Sequence, residues 1–250
     1  MVEGAKLLTE ALDAGAAVES VYLDPSAGPV PEPLVARCLD AGLRVYDLEP
    51  GVLVRVADAV TPQPILGVVS MVDLTLEEAL AAAGAPSAGP GALVVTLVEL
   101  RDPGNAGSVL RSADAAGVDA VVFAAGSVDL YNPKTVRASA GALFHVPVAV
   151  GPSPEDVLRA LGEAGLRRLA TVARGGKDYS AVDLGGPTAL VLGNEANGLP
   201  ATLDPFLDGA ITIPMAGRAE SLNVGMAAAV LCFEAARQRR LIASMAAPPT

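Results

Sequence analysis

The segment ALVVTLVEL, residues 92–100, constrains this chain more than any other, because nearly every side chain in it is apolar. A half-exposed strand would alternate polar and apolar residues, so a strand of this kind has both faces covered, as in the middle of a parallel sheet. The following sequence keeps the same rhythm. DPGNAGSVLRSADAAG turns and becomes a helix, VDAVVF is the next strand and VPVAV another, PEDVLRALGEAG is a helix, and RRLATVA, TALVLG and AITIP are three more strands. The Gly/Ser/Asn/Pro-rich GSVDLYNPKTVRASAGALFH is expected to be a loop. Five or six parallel strands with intervening helices predict a doubly wound α/β sheet, whose ligands sit beyond the strands' carboxyl ends.

Residues 210–240, AITIPMAGRAESLNVGMAAAVLCFEAARQRR, close the pattern. A short strand breaks at Pro214, crosses a polar loop and enters a helix whose first turn is expected to carry Ser221 and Asn223. From 224 to 236 the residues are small and apolar, which predicts burial around most of the helix. Arg237, Arg239 and Arg240 suit the negative end of its dipole.

The front of the chain repeats the alternation on a smaller scale. VEGAKLLTEALDAG, PLVARCLDAG and GVLVRVAD read as helical, and VESVYLD, LRVYDL and PILGVVSM as strands, giving a small α/β sandwich over residues 1–72. DLTLEEALAAAGAPSAGPG, residues 73–91, reads as an acidic turn and a Pro/Gly/Ser/Ala linker to a second domain over 92–250.

No apolar run approaches the roughly 18–20 residues of a membrane span, and no signal peptide pattern follows Met1. Cys38 and Cys232 lie in apolar helical patterns, as reduced core residues of a cytoplasmic protein would. With His145 the sole histidine, a metal site or Ser-His-Asp triad has little to be built from. The net charge of −11 argues against a nucleic-acid partner until its distribution is read. Residues 1–91 hold 4 Lys/Arg against 13 Asp/Glu, and residues 92–250 hold 13 against 15, so the acidity belongs mostly to the front.

Three loops carry the chemistry. In DPGNAGSVLRSAD, Pro103-Gly104 makes a tight turn, Asn105 either caps the helix or points outward, and Arg111 follows nearly two turns in. Gly107 and Ser108 are expected to leave N–H groups exposed near a helix start, as an anion site requires. An ordinary β-α turn would look similar in isolation, and neither GxGxxG nor GxxxxGK[ST] is present. In VLGNEANGLP, Asn197-Gly198 suits a turn, while Glu195 at a buried strand's exit suits a cation, a cap or a ligand. In IPMAGRAESLNVG, backbone groups around Ile213 and Leu222 lose ladder and helix partners, and Ser221 and Asn223 offer short polar side chains.

Taken together, these loops resemble, in order and spacing, the SpoU/TrmH family of the SPOUT class, AdoMet-dependent RNA ribose 2′-O-methyltransferases. DPGNAGSVLRSADAAGVDAVVF is similar to the family's first motif, with Asn105 and Arg111. LVLGNEANGLP is similar to the second, with Glu195, and IPMAGRAESLNVGMAAAV to the third, with Ser221 and Asn223. YNPKTVRASAGALFHVPV also resembles the segment after the first motif, so the likeness covers residues 92–242. The front domain is similar to the RNA-recognition domain of ribosomal-RNA members.

The resemblance implies a deep trefoil knot, an exception to the usual absence of knots, and a homodimer with its cofactor cleft near the interface. Gly193, Ile213 and Leu222 fall where members hold S-adenosyl-L-methionine (AdoMet), largely through main chain, with Thr171, Leu192, Met215 and Ser221 beside them. No metal is implied. Asn105 would hold the active-site loops, Glu195 would orient Arg111 or a neighbour, and Ser221 and Asn223 would position the hydroxyl or cofactor. Arg111's counterpart is proposed in the family as base, but a guanidinium with pKa above about 12 is better suited to orienting ribose or phosphate. The implied partner is RNA, ribosomal RNA foremost, with transfer RNA or non-catalytic binding as rival readings. This front domain departs from the family by being acidic, and it begins at the VEGAKLL helix where relatives commonly carry upstream basic residues. Arg101, Arg111, Lys134, Arg137, Arg174, Lys177 and Arg218 would then supply positive charge.

Overall fold

The computed structural model describes residues 1–57, 61–84 and 91–246. Its front part runs β1 (Val2–Glu3), α1 (Ala5–Asp13), β2 (Val18–Leu23), α2 (Glu32–Asp40), β3 (Arg44–Asp47), α3 (Val52–Val56) and β4 (Ile65–Val69). The strands form a sheet of order β1-β4-β2-β3, in which only β2 and β3 are parallel. Val21, Leu23 and Ile65 pack on Leu7 and Leu8 of α1 and on Leu34 and Cys38 of α2. The helix expected from Val2 begins at Ala5, because Gly4 (φ 94) breaks the chain after two residues that pair with β4.

The segment expected as a linker contains α4 (Leu76–Gly84). Thr75 and Glu78 explain its start. Thr75 Oγ1 accepts from Glu78 N–H (3.2 Å) and Glu78 Oε2 accepts from Thr75 N–H (2.8 Å), a reciprocal capping box. Ala79 and Ala83 then bury against the second sheet. The Pro/Gly/Ser/Ala part of the expected linker, residues 85–90, lies outside the described residues.

The second sheet contains β5 (Leu93–Leu97), β6 (Ala120–Phe123), β7 (Val148–Val150), β8 (Arg167–Thr171), β9 (Lys177–Asp178), β10 (Thr188–Leu192) and β11 (Gly209–Thr212). These seven strands are parallel, in the order β7-β6-β5-β10-β8-β11-β9. The reading of five or six strands missed β9, a two-residue edge with no apolar signal. Alternate side chains supply two cores. Leu93, Val95, Leu97, Leu190 and Leu192 face α5 (Pro103–Ala116) and α8 (Val224–Ala246), while Val94, Val122 and Val191 face α4 and α7 (Pro154–Glu163). No helix among the described residues is long and apolar enough to cross a membrane.

Three expectations are corrected. First, the stretch expected as a loop after β6 contains α6 (Pro133–Ser139). Asn132 Oδ1 accepts from Lys134 N–H (2.9 Å) and Pro133 occupies the first helical position, so the residues that suggested a loop are a helix start. Second, Ser221 is not in the first turn of the C-terminal helix. α8 begins at Val224, with Asn223 Oδ1 accepting from the N–H groups of Gly225 (2.9 Å) and Met226 (3.3 Å). Third, the buried Gly107 of α5 sits against α6. A Cβ there would lie 2.5 Å from Ala138 Cβ and 2.7 Å from Thr135 O, so Gly107 is covered and offers no exposed anion site.

Residues 131–145 also face the front domain. Tyr131 Oη accepts from the N–H groups of Val72 (2.8 Å) and Asp73 (2.9 Å) and donates to Asp73 Oδ1 (2.5 Å). Arg137 faces Glu3 at 3.9 Å and His145 Nε2 lies 2.8 Å from Glu10 Oε2. Burial, together with the bond to Asp73, pushes the Tyr131 hydroxyl up to about 12. Because the folded value is raised above the ordinary phenol value of about 10, the clamp's contribution is complete below that pH and is lost as pH rises toward 12. Tyr131→Phe keeps the ring and strands two N–H donors, at a cost of about 1–3 kcal/mol. A fall in Tm of about 3–8 °C and faster proteolysis between the two sheets are expected; an unchanged Tm would exclude the clamp.

Candidate active site

The three loops meet at the carboxyl ends of β5, β10 and β11. They wall a cleft of about 370 Å³, within the range of small-molecule sites. Thr171, Leu192, Gly193, Ile213, Met215, Ser221 and Leu222 all line it, as do Asn105, Glu195 and Asn223; Arg111 does not.

Asp102 starts α5 by accepting Asn105 N–H on Oδ1 (2.8 Å), which frees the Asn105 side chain to point outward. Asn105 Nδ2 donates to Glu195 Oε1 (3.0 Å), and Asn105 Oδ1 accepts from Asn223 Nδ2 (2.8 Å). Glu195 also accepts from the N–H groups of Arg101 (3.2 Å) and Asp102 (3.0 Å). The relay has one possible polarity. An ionised carboxylate only accepts, so Asn105 must offer it nitrogen and turn oxygen to Asn223, which in turn must offer oxygen to the first N–H groups of α8.

Burial alone would raise the Glu195 pKa, but the bond from Asn105 and those from the Asp102 and Arg101 N–H groups outweigh it and hold the carboxyl below its usual range. Asp102 is lowered first by the Asn105 N–H, with Lys134 Nζ 3.3 Å away adding to the effect.

The second loop is set by close backbone approach. Asn194 and Gly198 exchange N–H···O bonds of 2.9 Å each, and a Cβ on Gly193 would stand 2.4 Å from Gly198 C. Asn194 holds this loop as well, a role not assigned to it from the sequence. Its Oδ1 accepts from Ala196 (3.0 Å) and Asn197 (3.1 Å) N–H, and its Nδ2 donates to Glu99 O (2.9 Å). Glu99 has φ 52, a left-handed conformation that a non-glycine residue holds only when its surroundings impose it. The signal was available in GNEANG, since Asn commonly bonds backbone groups two residues on.

Three main-chain groups remain. The N–H groups of Gly193, Ile213 and Leu222 have no hydrogen-bond partner among the described residues, and they stand beside the apolar walls of Leu192 and Ile213. Unpaired donors lining a half-apolar cleft fit an adenosyl group, whose base edge and ribose accept hydrogen bonds and whose ring needs apolar contact. Thr171 Oγ1 donates to Val191 O (3.1 Å), which ties its hydroxyl to the sheet.

Two expected roles become narrower. Of the alternatives Arg111 or a neighbour, Glu195 bonds the neighbour Asn105 and adjoining backbone. Asn223 Oδ1 is committed to capping α8, so its side chain fixes a loop before it can position a substrate. Arg111 is exposed on α5, about 9 Å along the axis from Asn105, and makes no ion pair among the described residues.

Residues 92–233 match the SpoU rRNA Methylase family, and residues 1–74 match the domain described as RNA 2′-O ribose methyltransferase substrate binding. The chain is 34% identical over 235 residues to the Bacillus subtilis 23S rRNA (guanosine(2553)-2′-O)-methyltransferase RlmP, covering 93% of this chain and 86% of that one. It is 41% identical over 143 residues to the 23S rRNA (uridine(2479)-2′-O)-methyltransferase of Streptomyces viridochromogenes, 55% of this chain and 50% of that one. The SpoU methyltransferase AviRb from that organism, in complex with AdoMet, superimposes with a TM-score of 0.80 at 30% identity, covering 96% of this chain and 90% of its own. The α/β fold with its parallel seven-stranded sheet is that of the SPOUT methyltransferases, and the chain belongs to the SpoU rRNA methylase family.

Proposed function

We propose that this protein transfers the methyl group of AdoMet to a ribose 2′-hydroxyl of RNA, with ribosomal RNA as its substrate. The observation that carries this reading is the cleft in which unpaired main-chain donors at Gly193, Ile213 and Leu222 adjoin the Glu195–Asn105–Asn223 relay. When bound, AdoMet supplies an electrophilic methyl group on a sulfonium, so the protein's task is alignment and removal of one proton. The three N–H groups hold the cofactor, with Thr171, Leu192, Met215 and Ser221 as its walls. Glu195, Asn105 and Asn223 fix the loops against one another, and the exposure of Ser221 at the rim supports a contact with ribose. Arg111, whose fork of donors has no partner among the described residues, orients the ribose or a neighbouring phosphate.

Arg101, Lys134, Arg137, Arg174, Lys177 and Arg218 are the cations of the catalytic part proposed to meet the RNA backbone. The active form is proposed to be a homodimer joined along α8. Met226 (63% exposed) and Phe233 (48%) stand seven residues apart on one side of that helix, an apolar stripe that a monomer would leave in water. The C-terminal segment is proposed to thread a preceding loop as a deep trefoil knot. We place the protein in the cytoplasm, where ribosomal RNA is found.

Calorimetry with AdoMet and a tritium-methyl assay on 23S ribosomal RNA fragments test the reading. Arg111→Ala is expected to bind AdoMet like wild type and lose methyl transfer by about 100-fold or more; loss of cofactor binding instead would refute the assigned role. Asn223→Ala removes a helix cap and the relay's anchor, so it should cost about 0.5–2 kcal/mol of stability as well as activity. Turnover near that of wild type would count against the relay.

Glu195→Gln offers one acceptor and an NH2 group to three donors. Because the Glu195 carboxyl is held below its ordinary value, its contribution is complete above about pH 4.3 and disappears as pH falls through the lower folded value. Wild type should therefore be more stable than the variant by a constant margin from pH 5 to 8, with the curves converging at lower pH. Urea titrations that fail to converge would contradict the assignment.

A further inference from the structure

The front sheet leaves part of one face open, and a single cross-strand row on that face joins it to the catalytic part. Glu3 pairs with Leu66, Leu66 with Tyr22, and Tyr22 with Tyr46, so the four side chains stand on the same side of the sheet. The opposite face is packed on α1 and α2 through Val21, Leu23 and Ile65. At one end of the row Glu3 is covered, with a side chain 7% exposed and Arg137 of α6 3.9 Å away. At the other end the Tyr22 and Tyr46 rings stack, with centroids 5.4 Å apart and planes at 24°, and Tyr46 is 45% exposed. Arg44 lies two residues before Tyr46 on β3, hence on the same face, paired with Ser20.

A cross-strand aromatic pair stabilises a sheet modestly by itself, and on this open face it also leaves ring surface in water, with Tyr46 45% exposed. Flat aromatic surfaces on sheets are a recurrent means of holding unstacked bases, and every base has a π-face, so stacking needs little positive charge. That resolves the difficulty of an RNA-recognition domain with 4 Lys/Arg against 13 Asp/Glu over residues 1–91. Of the cations here, Arg37 is tied to Asp13 at 2.6 Å, whereas Arg44 makes no ion pair among the described residues and stands beside the rings. The path to the cleft is short. From Tyr46 the row runs roughly 14 Å to Glu3, at about 4.8 Å per strand. From there α6 leads from Arg137 back to Lys134, which contacts Asp102 at the start of α5.

We propose that the Tyr22–Tyr46 pair is a stacking platform for an unpaired base of the substrate RNA, with Arg44 meeting the adjacent phosphate. The assignment rests on the RNA methyltransferase reading and adds to it the surface by which the acidic front domain recognises its substrate.

The test uses the full chain, transcribed 23S ribosomal RNA fragments and four variants: Tyr46→Phe, Tyr46→Leu, Tyr22→Leu and Arg44→Ala. AdoMet affinity and circular dichroism serve as controls and should be unchanged. Tyr46→Leu keeps apolar bulk but loses the ring face, and should weaken RNA binding about tenfold or more, with Tyr46→Phe near wild type. The slope of log affinity against log salt should stay constant in the Tyr variants and fall by about one in Arg44→Ala. Equal RNA affinity in wild type and Tyr46→Leu, while methyl transfer persists, overturns the platform and leaves the enzyme reading intact. Equal losses in Tyr46→Phe and Tyr46→Leu would mark a hydroxyl contact and also overturn it. A change in sedimentation mass without a change in RNA affinity would mark the face as a contact between copies and would overturn the platform too. A wild-type chain that binds AdoMet but neither binds nor methylates any fragment fails the functional reading, and the platform falls with it.

Discussion

The hydrogen-bond relay from Glu195 through Asn105 to Asn223 is the interaction on which the site depends. It joins three segments that are far apart in sequence, the bonds spanning 90 and 118 residues. Each end is anchored in backbone: Glu195 in the N–H groups of Arg101 and Asp102, Asn223 in those of Gly225 and Met226. Polar groups at a partly sheltered cleft are costly when unpaired, so every member holds its neighbour in one orientation. The cleft's shape follows from the relay, because two of its loops are also the starts of α5 and α8.

The sheet beneath supplies the stiffness such a site needs. Its central strands are buried on both faces by separate apolar clusters, one under α5 and α8 and the other under α4 and α7. Helix starts and strand ends at the cleft are therefore extensions of packed elements. The strained Glu99 and the closely approached Gly193 are carried by that frame, as backbone outside ordinary geometry must be.

Much of this was legible in residues 92–100 and in the three polar loops. Buried parallel strands announce themselves as continuous apolar runs, and Asn, Gly and Pro mark strand exits. The failures have common causes. β9 is two residues of Lys and Asp, held by its neighbour rather than by any pattern of its own. Asn132 and Pro133 open a helix as readily as they fill a loop, and only the packing of Gly107 under α6 decides between them. The same limit applies to Asn223 and Ser221, where one residue caps and the other stays outside. The commitment of Glu195 to Asn105 rather than Arg111 depends on long-range geometry, which periodicity does not encode.

α6 touches both halves of the molecule: Lys134 contacts Asp102 at the cleft, and Arg137 faces Glu3 of the front sheet. It is locked to α5 at Gly107, where no side chain would fit. A short stiff strut of this kind fixes the span between the two ends. On the proposed reading, an RNA held at the front domain would offer for reaction whichever ribose lies at that span, so the enzyme would choose its nucleotide as a ruler does, by distance along a folded RNA, with little need to read the bases at the cleft.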